Sequence, residues 1–490
     1  TDASKSTDAS KSTDASKSTD APKADWRKWL KEHRFSLPAM LIGLFGLLLL
    51  MANSAQIPHG SVLGLASLAL GVTGLLRVAG VIQPSPNETL GWKNTTFGPQ
   101  EGEPAMLAPA IAVPLFLLVL IGGGIAGVSV AHHLLVADPT LDVVLLEMET
   151  TLAHHTTGRS AALLLENLGT PSMRALCSAS LGHLRNTPAD LIDSPLLTRR
   201  QVLHVATGDQ DEATDRMLAE GIESATTPTI EVNVDDAMRL FPPLRRERIH
   251  RAVVEPDSAD IDVGALHQSY VRGMRRAGGQ IATATRLDVA IPDGDGWQLD
   301  TTDGPMSAEL VVNCGGAWGD LVATAAGVES VGLQPMRRTA FMVDGPGLDT
   351  AGWAFTGDME HHWYLRDDGP QMFCSLAEEN PSEPCDPKPE ELDVALAIDR
   401  LNKATTLGIR SVNSAWVGLR TFSPDRSMVI GPEPCRPNFV WCVGQGGTGI
   451  QTSDGAGRLT ALLALGLDPA DDFPGLDLAD VRPDRFRDRR

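Results

Sequence analysis

The sequence predicts an α/β protein with three parts. These are a discontinuous Rossmann-like dinucleotide-binding domain, a mostly antiparallel β-sheet substrate domain, and a hydrophobic helical hairpin that precedes both. Three observations carry this reading. An apolar run over residues 115–121 leads directly into Gly122-Gly123-Gly124-Ile125-Ala126-Gly127. A second apolar run, 143–146, ends on Glu147, twenty residues past Gly127. Two further glycine-rich turns lie far downstream, one at Gly315-Gly316 where the strand-like segment ELVVNCGGAW, 309–318, ends, the other at 443–450 ahead of a helix-like stretch.

Composition bounds the answer. The chain has 490 residues, enough for a large two-domain enzyme. Its 62 acidic and 41 basic residues leave a net charge of −21, which argues against a general nucleic-acid binder, since such a protein needs a basic face to displace counterions. The hydrophobic content of 42% and the 47 glycines suit a globular α/β chain. The six cysteines form no C-x-x-C pair, so neither a small-domain disulfide framework nor a structural zinc site is expected, and no metal is assigned.

Residues 1–24 are dominated by a repeated TDASKS hexapeptide with no apolar face and read as a low-complexity tail. Residues 25–105 hold two uncharged apolar runs, 37–52 and 60–76, behind a basic leader containing Trp26 and Trp29. Each run falls a little short of the roughly 20 residues that span a bilayer. A membrane hairpin is the favoured reading, through residues 37–76, with the following domain returned to the cytoplasm. A signal peptide ending near Ala55 and a pair of buried core helices are the alternatives, the last giving a soluble cytoplasmic protein. A polar stretch rich in Pro and Gly, 83–103, reads as a linker.

Each member of the glycine series has a physical reason. Gly122 permits the tight turn, Gly124 lets a pyrophosphate reach the backbone, and Gly127 lets helix and strand pack closely. The helix that opens at Ile125 and Ala126 offers free N–H donors and a positive dipole end to an anion. Glu147 can accept hydrogen bonds from ribose hydroxyls. A lone G-x-G-x-x-G is a weak signal; the full strand–glycine–helix–strand–acid order is a strong one. After Glu147 comes Thr157-Gly158-Arg159-Ser160-Ala161, and near the end Gly446-Gly447-Thr448-Gly449-Ile450 precedes a helix-like stretch, 451–465. Three nucleotide-facing segments spread along the chain suit a long FAD better than a nicotinamide cofactor.

These stretches resemble the D-amino-acid oxidase-like flavoproteins, and most closely the catabolic D-arginine dehydrogenases. The matching segments are IGGGIAG at 121–127, TTGRSAA at 156–162, the helix-like stretch at 258–276, LQPMRRTAF at 333–341, WVGLRTF at 416–422 and GQGGTGIQTS at 444–453. The resemblance implies an FAD domain over 112–200, 257–330 and 410–466 and a substrate domain over 201–256 and 331–409; residues 467–490 read as a tail, mobile after Ala479. It also implies hydride transfer from the Cα of an amino acid to the flavin, giving an imine that hydrolyses to a 2-oxo acid, with quinone or oxygen as final acceptor. By the same resemblance Arg420 and Tyr364 hold the substrate carboxylate and Arg338 stands near the pocket. An Arg suits that role because its planar fork binds a carboxylate at two points.

The chain departs from the family where the substrate amine and side chain would lie. Leu163 and Leu168 stand where the relative carries an active-site His and Tyr, and Val202 replaces a Glu that holds a basic side chain. An apolar wall cannot compensate a cation taken from water, so neutral, apolar D-amino acids are expected to fit better than D-Arg. Glu166, His154, His155, His361 and His362 are the polar residues available as replacements; none is assigned a catalytic role. Two function classes follow: an FAD-dependent D-amino-acid dehydrogenase or oxidase, favoured by Arg420 and Tyr364, and a membrane-anchored flavoprotein subunit without the reaction, favoured by Leu163 and Leu168.

Overall fold

The computed structural model describes residues 117–224 and 228–487. The low-complexity tail and the hairpin expected over 37–76 lie outside the described residues, among which no helix is long and apolar enough to cross a membrane.

A six-stranded sheet runs in the order Val429–Glu433, Arg436–Val443, Leu310–Asn313, Leu117–Ile121, Asp142–Leu146, Gln280–Ala282. All neighbours are parallel except the edge hairpin formed by the first two. Strand Leu117–Ile121 is apolar throughout because both its faces are covered. On one side, helices Ile125–Ala137, Val263–Arg276 and Ser453–Ala464 contribute Val128, Leu134, Leu266, Tyr270 and Ala461 to one core. On the other, a small antiparallel sheet, Leu287–Asp293, Gly296–Thr301 and Gly304–Ala308, buries Trp297 and Leu299 against Phe439 and Trp441. The first helix extends beyond the apolar stretch that marks it in the sequence, starting at Ile125 and ending at Ala137.

The second sheet has nine strands. Its path runs from Asn380–Pro381 through Gln334–Asp344, Gln371–Ser375, Tyr364–Asp368, Phe355–Asp358, Val202–Ala206 and Arg251–Glu255 to Ile230–Val232. Only Phe355–Asp358 and Val202–Ala206 pair in parallel. Strand Ser414–Phe422, expected in the dinucleotide domain, instead lies along Gln334–Asp344 over nine antiparallel pairs, including Met336↔Arg420 and Arg338↔Gly418. Residue parity sorts the two faces. Leu203, Val205, Phe341, Val343 and Leu365 pack with Ala237, Ala397 and Leu401 of the covering helices Val234–Leu240 and Glu391–Ala404. Val202, Ala340, Phe355, Tyr364 and Phe373 share the opposite face, where Leu163 and Leu168 pack against them.

The C-terminal segment, expected to be loose, is packed. Phe473 and Val481 are buried with Met428 and Leu459. Arg485 bonds Asp425 at 2.8 Å and Arg487 bonds the buried Glu433 at 2.8 Å. The arginine-rich composition that suggests a solvated tail instead supplies carboxylate partners to strand Val429–Glu433 and its approach.

Candidate active site

The glycine turn lies at the C-terminal ends of the parallel strands, where ligands bind in open α/β sheets. Gly122 has φ 112°, and a Cβ there would stand 2.5 Å from the carbonyl oxygen of Cys314. A Cβ on Gly127 would stand 1.9 Å from the carbonyl oxygen of Gly122. Gly124 caps the following helix in extended conformation. The Ile125 N–H donates to Thr157 Oγ1 at 3.0 Å, which fixes the 156–159 turn against the helix start. His267 Nε2 donates to the Gly123 carbonyl at 3.1 Å, and burial lowers the pKa of that imidazole.

Glu147 is buried at the end of its strand. Its Oε2 accepts from the Gly123 N–H at 2.7 Å and its Oε1 from the Glu149 N–H at 2.8 Å. A carboxylate accepts about four hydrogen bonds, so lone pairs remain for the diol of a ribose. The cavity beside it is lined by Gly122, Gly124, Glu147, Arg286 and Trp318. A second cavity holds Ile125, Ala126, Arg159, Ser160 and Ala161 on one wall and Gly446, Gly447, Gly449 and Ile450 on another. Gly124, Thr157, Cys314 and Gly316 line both, so the two form one elongated cleft past the glycine turn. A dinucleotide fits a cleft with a ribose acceptor at one end and a helix N-terminus at its waist.

Arg420, Tyr364 and Arg338 all line the second cavity. Tyr364 is buried between Phe355 and Phe373, with ring centroids at 5.3 and 6.1 Å. Arg338 gives Nη2 to Glu379 Oε1 at 3.3 Å, and Glu379 also holds Arg426 at 2.9 Å. Arg159 is bound to Asp386 at 2.6 Å and to the Val417 carbonyl at 2.8 Å. Arg420 differs from both: among the described residues its guanidinium has no hydrogen-bond or ion-pair partner. Burial, and then the charge of Arg338, pull its pKa down to about 10, so it stays charged at neutral pH. A half-buried guanidinium without a counter-ion, open to a cavity, is the natural seat for an anion.

Other sequence-marked residues fall elsewhere. Gly127 serves packing and lines neither cavity. Thr448 is buried beneath its loop, donating Oγ1 to the Gln445 carbonyl at 3.0 Å. Glu166 is buried and pairs with Arg185 at 3.2 Å. His154 and His155 line the first cavity, and with Glu149 bring ligand atoms within 4.8 Å of one another, a set that could hold a metal ion. His361 faces His204, ring centroids 5.8 Å apart, and His362 bonds Asp358 at 2.9 Å. Val202, with Leu163 and Leu168, belongs to the apolar cluster around Tyr364. Sequence reasoning missed Gln451, whose amide clasps the backbone of Leu165 at both N–H and carbonyl, each 2.8 Å. No local pattern marks a glutamine whose partner lies 286 residues away.

Comparison with known proteins agrees with this geometry. Residues 118–463 match the family model described as FAD dependent oxidoreductase. Mitochondrial L-2-hydroxyglutarate dehydrogenase of Caenorhabditis elegans is 23% identical over 391 residues, covering 72% of this chain and 88% of that protein. FAD-dependent oxidoreductase domain-containing protein 1 of Mus musculus is 23% identical over 401 residues, covering 71% and 81%. Among solved structures, L-proline dehydrogenase from P. horikoshii superposes with a TM-score of 0.66 at 18% identity, covering 76% of this chain and 97% of that one. Glycine oxidase from Geobacillus kaustophilus gives 0.64 at 19%, covering 74% and 97%. The cofactor of the elongated cleft is therefore FAD, and the chain belongs to the FAD dependent oxidoreductase family.

Proposed function

We propose that this flavoenzyme oxidises the Cα–N bond of neutral, apolar D-amino acids to the imine, which water converts to a 2-oxo acid and ammonia. The unpartnered guanidinium of Arg420 in the second cavity carries this reading. Bound FAD would supply the hydride acceptor for this oxidation. The protein's part is to hold the substrate. Arg420 binds the α-carboxylate in a planar, two-point grip, which fixes the distance and angle on which hydride transfer depends. Tyr364, lining the same cavity, supplies a hydroxyl to the same group.

Side-chain preference follows from the apolar lining. Ala340 and Phe373 line the second cavity beside Tyr364, and Val202, Leu163 and Leu168 pack in the same apolar cluster behind them. Arg159 pairs with Asp386, and Arg338 shares Glu379 with Arg426, which leaves Arg420 as the cavity-lining arginine without a paired carboxylate among the described residues. That suits a substrate with one carboxylate better than a dicarboxylate such as L-2-hydroxyglutarate, which the name of the C. elegans relative gives as its substrate. The preference for D over L configuration rests on the motif resemblance to D-arginine dehydrogenases, and the membrane hairpin over 37–76 on its apolar pattern alone.

Steady-state kinetics with D-Leu, L-Leu, D-Arg and L-2-hydroxyglutarate test the proposal. D-Leu is expected to give the highest kcat/KM. Faster turnover of D-Arg would overturn the side-chain assignment, faster L-Leu the configuration, and faster L-2-hydroxyglutarate the substrate class.

A further inference from the structure

We infer that Cys314 and Cys442 form a dithiol that closes to an intrachain disulfide under peroxide, and that closure loosens the cofactor cleft at its waist. Cys442 lies on strand Arg436–Val443, and Cys314 directly follows its parallel neighbour Leu310–Asn313. The register runs Val311↔Phe439, Val312↔Val440, Asn313↔Trp441, and the next step pairs 314 with 442. Neighbouring strands are about 4.8 Å apart, inside the Cα separation that a disulfide spans. In-register residues of adjacent strands point to the same face, and both thiols enter the same core cluster. Gln445 Nε2 donates to Cys442 Sγ at 3.8 Å. The neighbouring thiol lowers the Cys442 pKa and, together with burial, raises that of Cys314.

The location gives the pair a consequence. Cys314 lines both halves of the cleft, and its carbonyl oxygen sits where any Cβ on Gly122 would fall, 2.5 Å away. Drawing Cys314 toward Cys442 to an S–S bond of about 2.05 Å shifts a backbone that the glycine turn touches directly. The chemistry balances with a hydroperoxide as oxidant. One thiolate sulfur attacks the O–O bond, giving a sulfenic acid and releasing water or an alcohol. The second thiol then attacks that sulfur, forming the disulfide and releasing water. Two electrons pass from the two sulfurs to the peroxide. The other cysteines act as internal controls: Cys385 and Cys435 are exposed, while Cys177 is buried on a helix and Cys374 is buried in register with Phe341 and Leu365, not with a cysteine.

The test is peptide mapping of the FAD-loaded full chain after hydrogen peroxide, with and without dithiothreitol, alongside FAD release followed by flavin fluorescence. Expected is a Cys314–Cys442 linked peptide that dithiothreitol reverses, is absent from Cys442→Ser, and accompanies about tenfold faster FAD release. Recovery of both residues as free thiols while Cys385 and Cys435 are oxidised would overturn the dithiol. A linked peptide with unchanged FAD release would overturn the coupling to the cleft. The wild-type mapping stands even if a serine variant fails to fold.

Discussion

Gly447 lies against the guanidinium of Arg420: a Cβ built on it would stand 3.0 Å from Nη1 and 3.1 Å from Cζ. The loop that opens toward helix Ser453–Ala464 thus sets the tilt of the Arg420 fork on strand Ser414–Phe422. Gly447→Ala pushes the flexible end of an arginine rather than backbone, so the fold survives while the fork is displaced. Misplacement on the ångström scale costs up to about 100-fold in rate. A fall in kcat/KM of about 10- to 100-fold, with FAD content and melting temperature near wild type, is the expected outcome of kinetics and thermal unfolding.

Glu147 uses one oxygen for the Gly123 N–H and the other for the Glu149 N–H. In Glu147→Gln the amide nitrogen must face one of those donors, and one buried N–H loses its acceptor. Such a loss costs about 1–3 kcal/mol, to which the weakened ribose contact adds. FAD titration of apoprotein should show affinity reduced about 10- to 100-fold, with far-UV circular dichroism unchanged.

Gly127→Ala tests close packing instead of chemistry. Its Cβ would meet the Gly122 carbonyl at 1.9 Å, a contact of backbone with backbone that no rotamer relieves. Over-packing of this kind costs about 1–3 kcal/mol or more. Denaturant unfolding should show lower stability, and the apoprotein should take up FAD poorly, because the displaced Gly122 is part of the phosphate turn.

Acid should destabilise the fold above the range where carboxylates titrate. Burial lowers the pKa of His132 from its ordinary 6.5 to about 4, and lowers those of His183 and His267. In the unfolded chain these groups bind protons near pH 6.5. Their contribution is therefore fully present above pH 6.5 and is lost as pH falls toward 4. Unfolding free energies at pH 7.5, 6 and 5 should decrease in that order. A flat profile would contradict the buried neutral imidazoles.

The dinucleotide half of the fold is legible in the sequence because its signals are local. Strand, glycine turn, helix and acid lie within residues 117–147, and each makes the contact its residue type requires. The site residues Arg420, Tyr364 and Arg338 are marked by motif resemblance, yet their states are not. That Arg338 pairs with Glu379 while Arg420 has no ion-pair partner among the described residues depends on a residue 41 positions away folding back onto the sheet. Strand Ser414–Phe422 is placed in the wrong layer by sequence order, because its partner Gln334–Asp344 lies about eighty residues earlier. The packed C-terminus was likewise hidden, since its arginines reveal their partners only in three dimensions.

Under the proposed function, FAD in this cleft oxidises an amino acid whose carboxylate is gripped by Arg420. Anaerobic mixing of the FAD-loaded protein with D-Leu, monitored by flavin absorbance, tests it most directly. Rapid bleaching of the oxidised flavin bands in the wild type, slowed at least 100-fold in Arg420→Ala with FAD retained, is the result predicted. Unchanged bands with D-Leu, or equal bleaching in wild type and variant, would contradict it.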